Sequence, residues 1–227
     1  MSFQRMLMMA AREPRPYLPH PEALVCLYVP RWQTEHGDVL YDLSGNDYHL
    51  TRTAGTVTWN DNGSVTVSST GAMAYQGETQ AVNEHTMLAD RQGWRRNSSG
   101  NIFAFYNGFK TRRDSTSINV FEISRTNNQM HTYSNRQDNN VTQYADESRT
   151  WITRRRNDYC GHSIRYNDLT STPNSIVLGG GYGSSGSLWI YTWCVVMWSV
   201  TLTDKEIEMA KLFLSTASLE DYMMSRL

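Results

Sequence analysis

Between Leu188 and Val200 the sequence reads LWIYTWCVVMWSV, and both of its alternating sets are apolar. Leu188, Ile190, Cys194, Val196 and Trp198 fall on one set; Trp189, Tyr191, Trp193, Val195 and Met197 fall on the other. A strand of this kind is either covered on both sides or bends partway and changes which face it buries. Its density of Trp, Tyr, Val and Ile favours a strand over a buried helix. A short apolar strand at Ile176–Leu178 precedes it, joined by a Gly/Ser hinge from Gly179 to Gly186. After it the pattern changes to that of a helix. Thr203 is a good N-cap, Glu206 stands three residues on as in a capping box, and Ile207, Ala210 and Leu214 share one face with Phe213 beside it.

The rest of the chain reads as short strands between polar turns. Ala23–Val29 is the first strand, ended by Pro30, and a turn follows over Asp42–Thr51, where Asp42, Ser44, Gly45 and Asn46 are turn formers. Val57–Ser69 alternates inward at Val57, Trp59, Val65 and Val67 around Asn62-Gly63, the clearest hairpin signal in the chain. Glu84–Arg91 and Asn101–Tyr106 predict strands flanking a polar loop, Gln92–Gly100. Further strands are expected at Ser117–Ser124, Gln129–Ser134 (pairing after Asn127-Asn128), Thr150–Thr153 and His162–Tyr166. No helix-period segment interrupts residues 23–200, so the fold class is all-β, a two-sheet antiparallel sandwich or barrel with a helical C-terminus. Ser218–Leu227 predicts a second short helix with Leu219, Tyr222 and Met223 on one side.

A chain of 227 residues suits one such domain with appendages. The net charge of -1 implies no general attraction to nucleic acid or membrane. Three widely spaced cysteines, Cys26, Cys160 and Cys194, without a CxxC argue against a disulfide framework or a zinc site. No stretch approaches the roughly 20 apolar residues of a membrane span, and no secretory signal is visible, so the expected place of synthesis is a cytoplasm. At the N-terminus Phe3, Met6, Leu7 and Ala10 make a helical face, and four prolines from Pro14 to Pro21 follow as a stiff extended arm. Two readings stay open: the helix packs on its own domain, or it docks on another protein.

Two separated pieces carry a family resemblance. The ending "Leu178-Gly-Gly, Gly/Ser loop, strand, Leu202-Thr-Asp-Lys-Glu-Ile207 helix" resembles the C-terminus of laminin-G-like domains, which are concanavalin A-like jelly rolls. Asp42-Leu-Ser-Gly-Asn-Asp-Tyr-His-Leu-Thr51 resembles the turn near the start of such domains. The resemblance implies a jelly roll over residues 23–214, behind an arm of residues 1–22 and before an extension of residues 215–227. It also implies a calcium site near the turn, for which Asp42, Asn46 and Asp47 are the candidates. Calcium takes six to eight oxygens and no second acidic cluster is evident, so the turn reads first as a capped turn. The opening Met1-Ser-Phe-Gln-Arg-Met-Leu-Met-Met9 resembles the start of head-fibre and tail-associated proteins of tailed phages.

In jelly-roll glucanases the catalytic carboxylates lie on one strand as Glu-x-Asp-x-(x)-Glu, and glycoside hydrolysis needs two carboxyls roughly 5–10 Å apart. Here Glu122 in Val120–Ser124 has no carboxylate partner at 120, 124 or 126, and the expectation is that the chain is not an enzyme. Gly179–Gly186 lacks the Gly-Lys-Ser/Thr ending of a phosphate loop, and the six histidines show no metal spacing. Arg154–Arg156, near Arg149, reads as a solvated basic loop, with an anionic sugar or a virion partner as the minority reading. Aromatic residues in expected loops, Trp94, Tyr144 and Tyr182, are the candidate glycan-binding residues. The functional expectation is a virion structural protein, a head-fibre, decoration or tail-associated subunit. Phe3, Met6 and Leu7 would attach it to a capsid or other virion protein as a homo-oligomer, a trimer by resemblance, and its jelly roll would face surface glycans. A free carbohydrate-binding module and a divergent glycoside hydrolase are the competing readings.

Overall fold

The apolar run forms the longest strand of the chain, Leu188–Trp198, and the six-stranded sheet is built around it. A computed structural model describes residues 16–68, 72–77, 86–95, 100–108, 120–126, 129–133, 149–155, 175–179 and 188–226. Its strands are β1 (Leu24–Tyr28), β2 (Val39–Leu40), β3 (Leu50–Ala54), β4 (Val57–Trp59), β5 (Val65–Ser68), β6 (Ala72–Gln76) and β7 (Thr86–Arg95), then β8 (Gly100–Gly108), β9 (Val120–Thr126), β10 (Gln129–Tyr133), β11 (Thr150–Arg155), β12 (Ser175–Gly179) and β13 (Leu188–Trp198). One sheet runs β11-β7-β13-β5-β4, with β1 also pairing β13; the other runs β10-β9-β8-β12-β6-β3-β2. Every pairing is antiparallel. The all-β, two-sheet expectation holds. Residues 1–15, Cys160 and the expected strand at 162–166 lie outside the described residues.

β13 takes both of its options. From Thr192 to Trp198 every side chain is buried, so this half is covered on both faces and both alternating sets are apolar. It also shifts its alternation: Thr192 pairs with Arg91 and Cys194 with Asp90, so Trp193 is an extra residue facing no partner on β7, a β-bulge. Before the bulge Thr192 stands opposite the core residue Val65; after it Val195 and Met197 enter the core. The core joins Val25, Val65, Met87, Val195 and Met197 of the first sheet to Leu40, Leu50, Met73, Ile176 and Leu178 of the second. Each such side chain contributes about 1.5–3 kcal/mol by leaving water. Cys26 and Cys194 are buried free thiols, and burial pushes the pKa of both well up, so they behave as small apolar residues.

Among the described residues β1 pairs on one side only, with β13. Its other edge is met by the Asp42 turn. Leu27 N–H donates to Asp42 Oδ1 at 2.9 Å and Leu43 N–H donates to Leu27 O at 2.8 Å. Asn46 Nδ2 donates to Leu24 O at 2.8 Å and to Val25 O at 3.0 Å. The turn thus supplies the hydrogen bonds that a neighbouring strand would otherwise make. Gly45 takes φ +96 within it, a conformation that suits glycine.

The Asn62-Gly63 hairpin forms as expected, with β4 pairing β5 in register from Val57↔Val67 to Trp59↔Val65. Gly63 has φ +79, and a Cβ there would meet Arg31 Cβ at 2.8 Å, so the turn needs glycine twice over. The expected polar loop over Gln92–Gly100 is shorter than the sequence suggests. β7 runs on to Arg95, because Gln92–Arg95 find partners in Tyr191–Leu188 of β13, and pairing overrides their weak local preference.

The chain divides into two compact units, residues 22–201 and a second whose described part joins residues 16–21 with 202–226. In the second unit α1 (Asp204–Thr216) begins at the expected cap. Thr203 Oγ1 accepts from Glu206 N–H at 3.3 Å, and Glu206 Oε2 accepts from Thr203 N–H at 2.8 Å. α2 (Leu219–Ser225) repeats the capping box with Ser218 and Asp221; its Tyr222 is buried, whereas Met223 is exposed. No helix among the described residues is long and apolar enough to cross a membrane.

Two outcomes follow. Asp42→Ala leaves buried backbone donors of Leu27 and Ser44 without their acceptor, and urea unfolding should show a loss of about 3 kcal/mol; a loss under 1 kcal/mol would show that water replaces the carboxylate. Glu206 is held at a pKa of about 2 instead of the usual 4.5, chiefly by the Thr203 N–H, then by the Thr203 hydroxyl and His20. A depressed carboxylate pKa stabilises the folded state above the unfolded value, and that contribution is lost as the pH falls through the folded one. Wild type should therefore melt higher than Glu206→Gln at pH 6, and the gap should close between pH 4.5 and 2. A gap independent of pH would contradict this.

Candidate functional site

The turn that resembles a calcium site is occupied by the protein's own donors. Asp42 Oδ1 accepts from Leu27 and Ser44 N–H, each at 2.9 Å; its Oδ2 accepts from Ser44 Oγ at 2.8 Å and Tyr48 N–H at 3.1 Å. Asn46 is turned to the β1 carbonyls, and Asp47 is exposed at φ +59. Each of the three residues faces a different partner. Among the described residues no group of three or more His, Cys, Asp or Glu is placed to hold a metal ion.

Beside this turn a cleft of about 240 Å³ opens between Val29 and Leu43, lined by Val29, Trp32, Gln33, Thr34, Glu35, Tyr41 and Leu43. Local chemistry builds it. Pro30 follows β1 and starts a one-turn 3-10 helix, Pro30–Trp32, that buries the Trp32 ring. The next loop is braced from inside by one amide. Gln33 Nε2 donates to Glu35 O and Val39 O at 2.7 Å each, and Gln33 Oε1 accepts from Tyr41 N–H at 3.0 Å. Trp59 Nε1–H donates to Gly37 O at 2.9 Å, and the His36 ring stacks on Trp59 with centroids 4.7 Å apart and planes within 2°. Arg52 closes the loop on Asp38 with two bonds, 2.7 and 3.0 Å, and the guanidinium holds the Asp38 carboxyl below its usual pKa.

Tyr41 stands at the rim, 38 % exposed, edge-on to His49 at 5.1 Å and 82°. His49 Nδ1 accepts from Asp42 N–H at 3.1 Å, which places the neutral ring's proton on Nε2. The Thr34 hydroxyl, the Glu35 carboxylate and the Tyr41 hydroxyl take no hydrogen-bond partner among the described residues. The cleft therefore presents an apolar, aromatic floor and three polar groups with open valences, set in a loop whose shape is already fixed.

Trp94 is on β7, its backbone opposite Trp189 of β13, and not in a loop. Tyr144 and Tyr182 lie outside the described residues, as do the attachment residues Phe3, Met6 and Leu7. The cleft residues had one signal in the sequence: a polar Trp-Gln-Thr-Glu cluster directly after a Pro that ends an apolar strand.

No family model matches the chain, and no curated protein matches it. Solved structures do. Trypanosoma rangeli sialidase in complex with sialic acid matches with a TM-score of 0.64 at 13% identity, over 89% of this chain and 34% of that one. The binding domain of botulinum neurotoxin serotype D/C matches with a TM-score of 0.58 at 12% identity, over 86% of this chain and 52% of that one. A botulinum neurotoxin type C structure, described as bearing on cell entry through two ganglioside molecules, matches with a TM-score of 0.56 at 13% identity. The chain spans about a third of the sialidases' length and about half of the toxin domains'. At these identities the likeness establishes the β-sandwich fold. It gives no support to the laminin-G or phage parts of the sequence reading.

One expectation is corrected. The absence of a carboxylate partner for Glu122 was read as excluding an enzyme, yet sialidases stand among the structural neighbours, at 13–16% identity and over about a third of their length. The two-carboxylate motif does not decide the question, since not every glycosidase uses it.

Proposed function

We propose that the sandwich is a glycan-binding domain and that the Trp32–Tyr41 cleft is its sugar site. The observation that carries the reading is the preformed cleft itself. A pyranose ring has apolar C–H faces and a rim of hydroxyls. The cleft offers the Tyr41 ring, over an apolar floor that includes the buried Trp32, to the first and Thr34, Glu35 and Tyr41 to the second. At about 240 Å³ it is smaller than the ~300–1,000 Å³ of drug-sized sites, which suits one sugar ring at a chain end. Ligands bound by one ring are weak, about millimolar or 4 kcal/mol, and useful adhesion then needs several copies acting together. The bracing by Gln33 lowers the ordering cost of binding.

The finer part of the reading is display on a virion: residues 1–22 attach to a capsid or other virion protein through Phe3, Met6 and Leu7, and several copies, three by resemblance to phage fibres, present the domain. Its support is the sequence pattern alone. Deleting residues 2–12 should leave a folded domain that no longer joins the particle; normal incorporation would end that part of the reading.

A second reading has one specific observation behind it. The cleft holds a tyrosine and a carboxylate, Tyr41 and Glu35, in a fold shared with sialidases. Turnover of a fluorogenic sialoside by wild type, lost in both Tyr41→Phe and Glu35→Gln, would establish hydrolysis at this site.

For binding, Tyr41→Ala should weaken immobilised-glycan capture at least about tenfold, the loss of roughly 1.4 kcal/mol of ring contact. Tyr41→Phe, which keeps the ring, should stay within about threefold. If Tyr41→Ala binds the same glycans as tightly as wild type, the cleft is not the sugar site.

A further inference from the structure

A second feature stands on the face of the six-stranded sheet turned away from the core. Asp90 of β7 lies between Cys194 of β13 and Trp151 of β11, its side chain 3% exposed. Arg149, just before β11, covers it. Arg149 Nε–H reaches Oδ1 at 3.0 Å and Oδ2 at 3.1 Å, and Nη2 donates to Oδ2 at 2.5 Å. The same guanidinium lies over the Trp193 ring, 4.3 Å from its centroid. That ring is fixed in turn by its Nε1–H, which donates to Asn62 O at 3.1 Å, and by stacking with Tyr191 at 6.2 Å and 24°.

A guanidinium has five N–H donors and two edges that fit a carboxylate. Asp90 takes the side-on edge, Nε and one hydrogen of Nη2. The end-on edge, formed by Nη1 and the other hydrogen of Nη2, has no partner among the described residues, and the side chain is 49% exposed. Its orientation is set by a carboxylate on one side and an indole face beneath. Neutral sugar binding does not call for this arrangement, whereas a planar two-oxygen anion fits it.

We propose that the end-on edge of Arg149, beside the Trp193–Tyr191 stack, is a receptor for the carboxylate of an acidic sugar, and that it is separate from the Trp32–Tyr41 cleft. The half-buried Tyr191, stacked on the buried Trp193, supplies a surface for the body of the sugar ring and Arg149 supplies the charge selection.

The test is calorimetric titration of the whole chain with sialyllactose, its methyl ester and lactose. Wild type should prefer the acid to the ester at least tenfold at low salt, with the preference shrinking as salt is raised. Arg149→Lys keeps a cation for Asp90 but has no second edge, and should abolish the preference. Should that variant not fold, Asp90→Asn with Arg149→Met removes both charges together and avoids a buried unpaired carboxylate; it should also lose the preference. Tyr41→Ala should retain the acid-over-ester preference whatever it does to lactose, so failure of the cleft and failure of this receptor are told apart. Equal binding of acid and ester by wild type, or a preference that survives Arg149→Lys or the double variant, would overturn the proposal.

Discussion

The sandwich depends on how the free edge of β1 is closed. β1 carries Val25, Cys26 and Tyr28 into the core and hangs from β13 by one ladder. Left open, its other edge would expose buried backbone groups with nothing to bond, each costing about 1–3 kcal/mol. Asp42, Leu43 and Asn46 close it from a turn, and Tyr28 adds a hydroxyl bond to Tyr48 O at 2.7 Å. The same turn positions Tyr41 and His49, so the rim of the cleft and the integrity of the core share one support. A carboxylate that accepts four protein donors has a structural task of its own.

What could be read from the sequence was what local rules determine. The Thr203 and Ser218 caps need only residues three apart, and the Asn62-Gly63 hairpin needs only a turn between alternating runs. The dual apolar pattern of β13 signalled full cover or a bend; the strand has both, burial on each face from Thr192 to Trp198 and a bulge set by its pairing with β7. Trp94 was misplaced for the same reason: Gln92–Arg95 look like a loop until β13 gives them a ladder.

The site was less legible than the fold. Glu35 and Tyr41 reach one cleft because Gln33 folds the chain over its own side chain, an arrangement without periodicity. Arg149 and Asp90 are 59 residues apart, and nothing near either announces the other. Composition did mark aromatic richness, yet rings such as Tyr28, Trp198 and Phe213 are buried, so counting them could not say which ones face a ligand. The hydrolase question shows the same limit from another side. A missing motif excludes only the chemistry that uses that motif, and the fold admits other arrangements.

The bulge at Trp193 has a consequence for how this chain can change over time. Strand parity on one side of it is opposite to parity on the other, and each half is locked to its own neighbours, β5 before and β1 after. Losing Trp193 would let Thr192 and Cys194 follow one another in a regular ladder against Arg91 and Asp90, with Thr192, Val195 and Met197 still on the core face. Gaining a residue would either widen the bulge or turn one half over. The middle of β13 therefore tolerates a deletion better than an insertion, and what such a deletion would remove is the ring beneath Arg149.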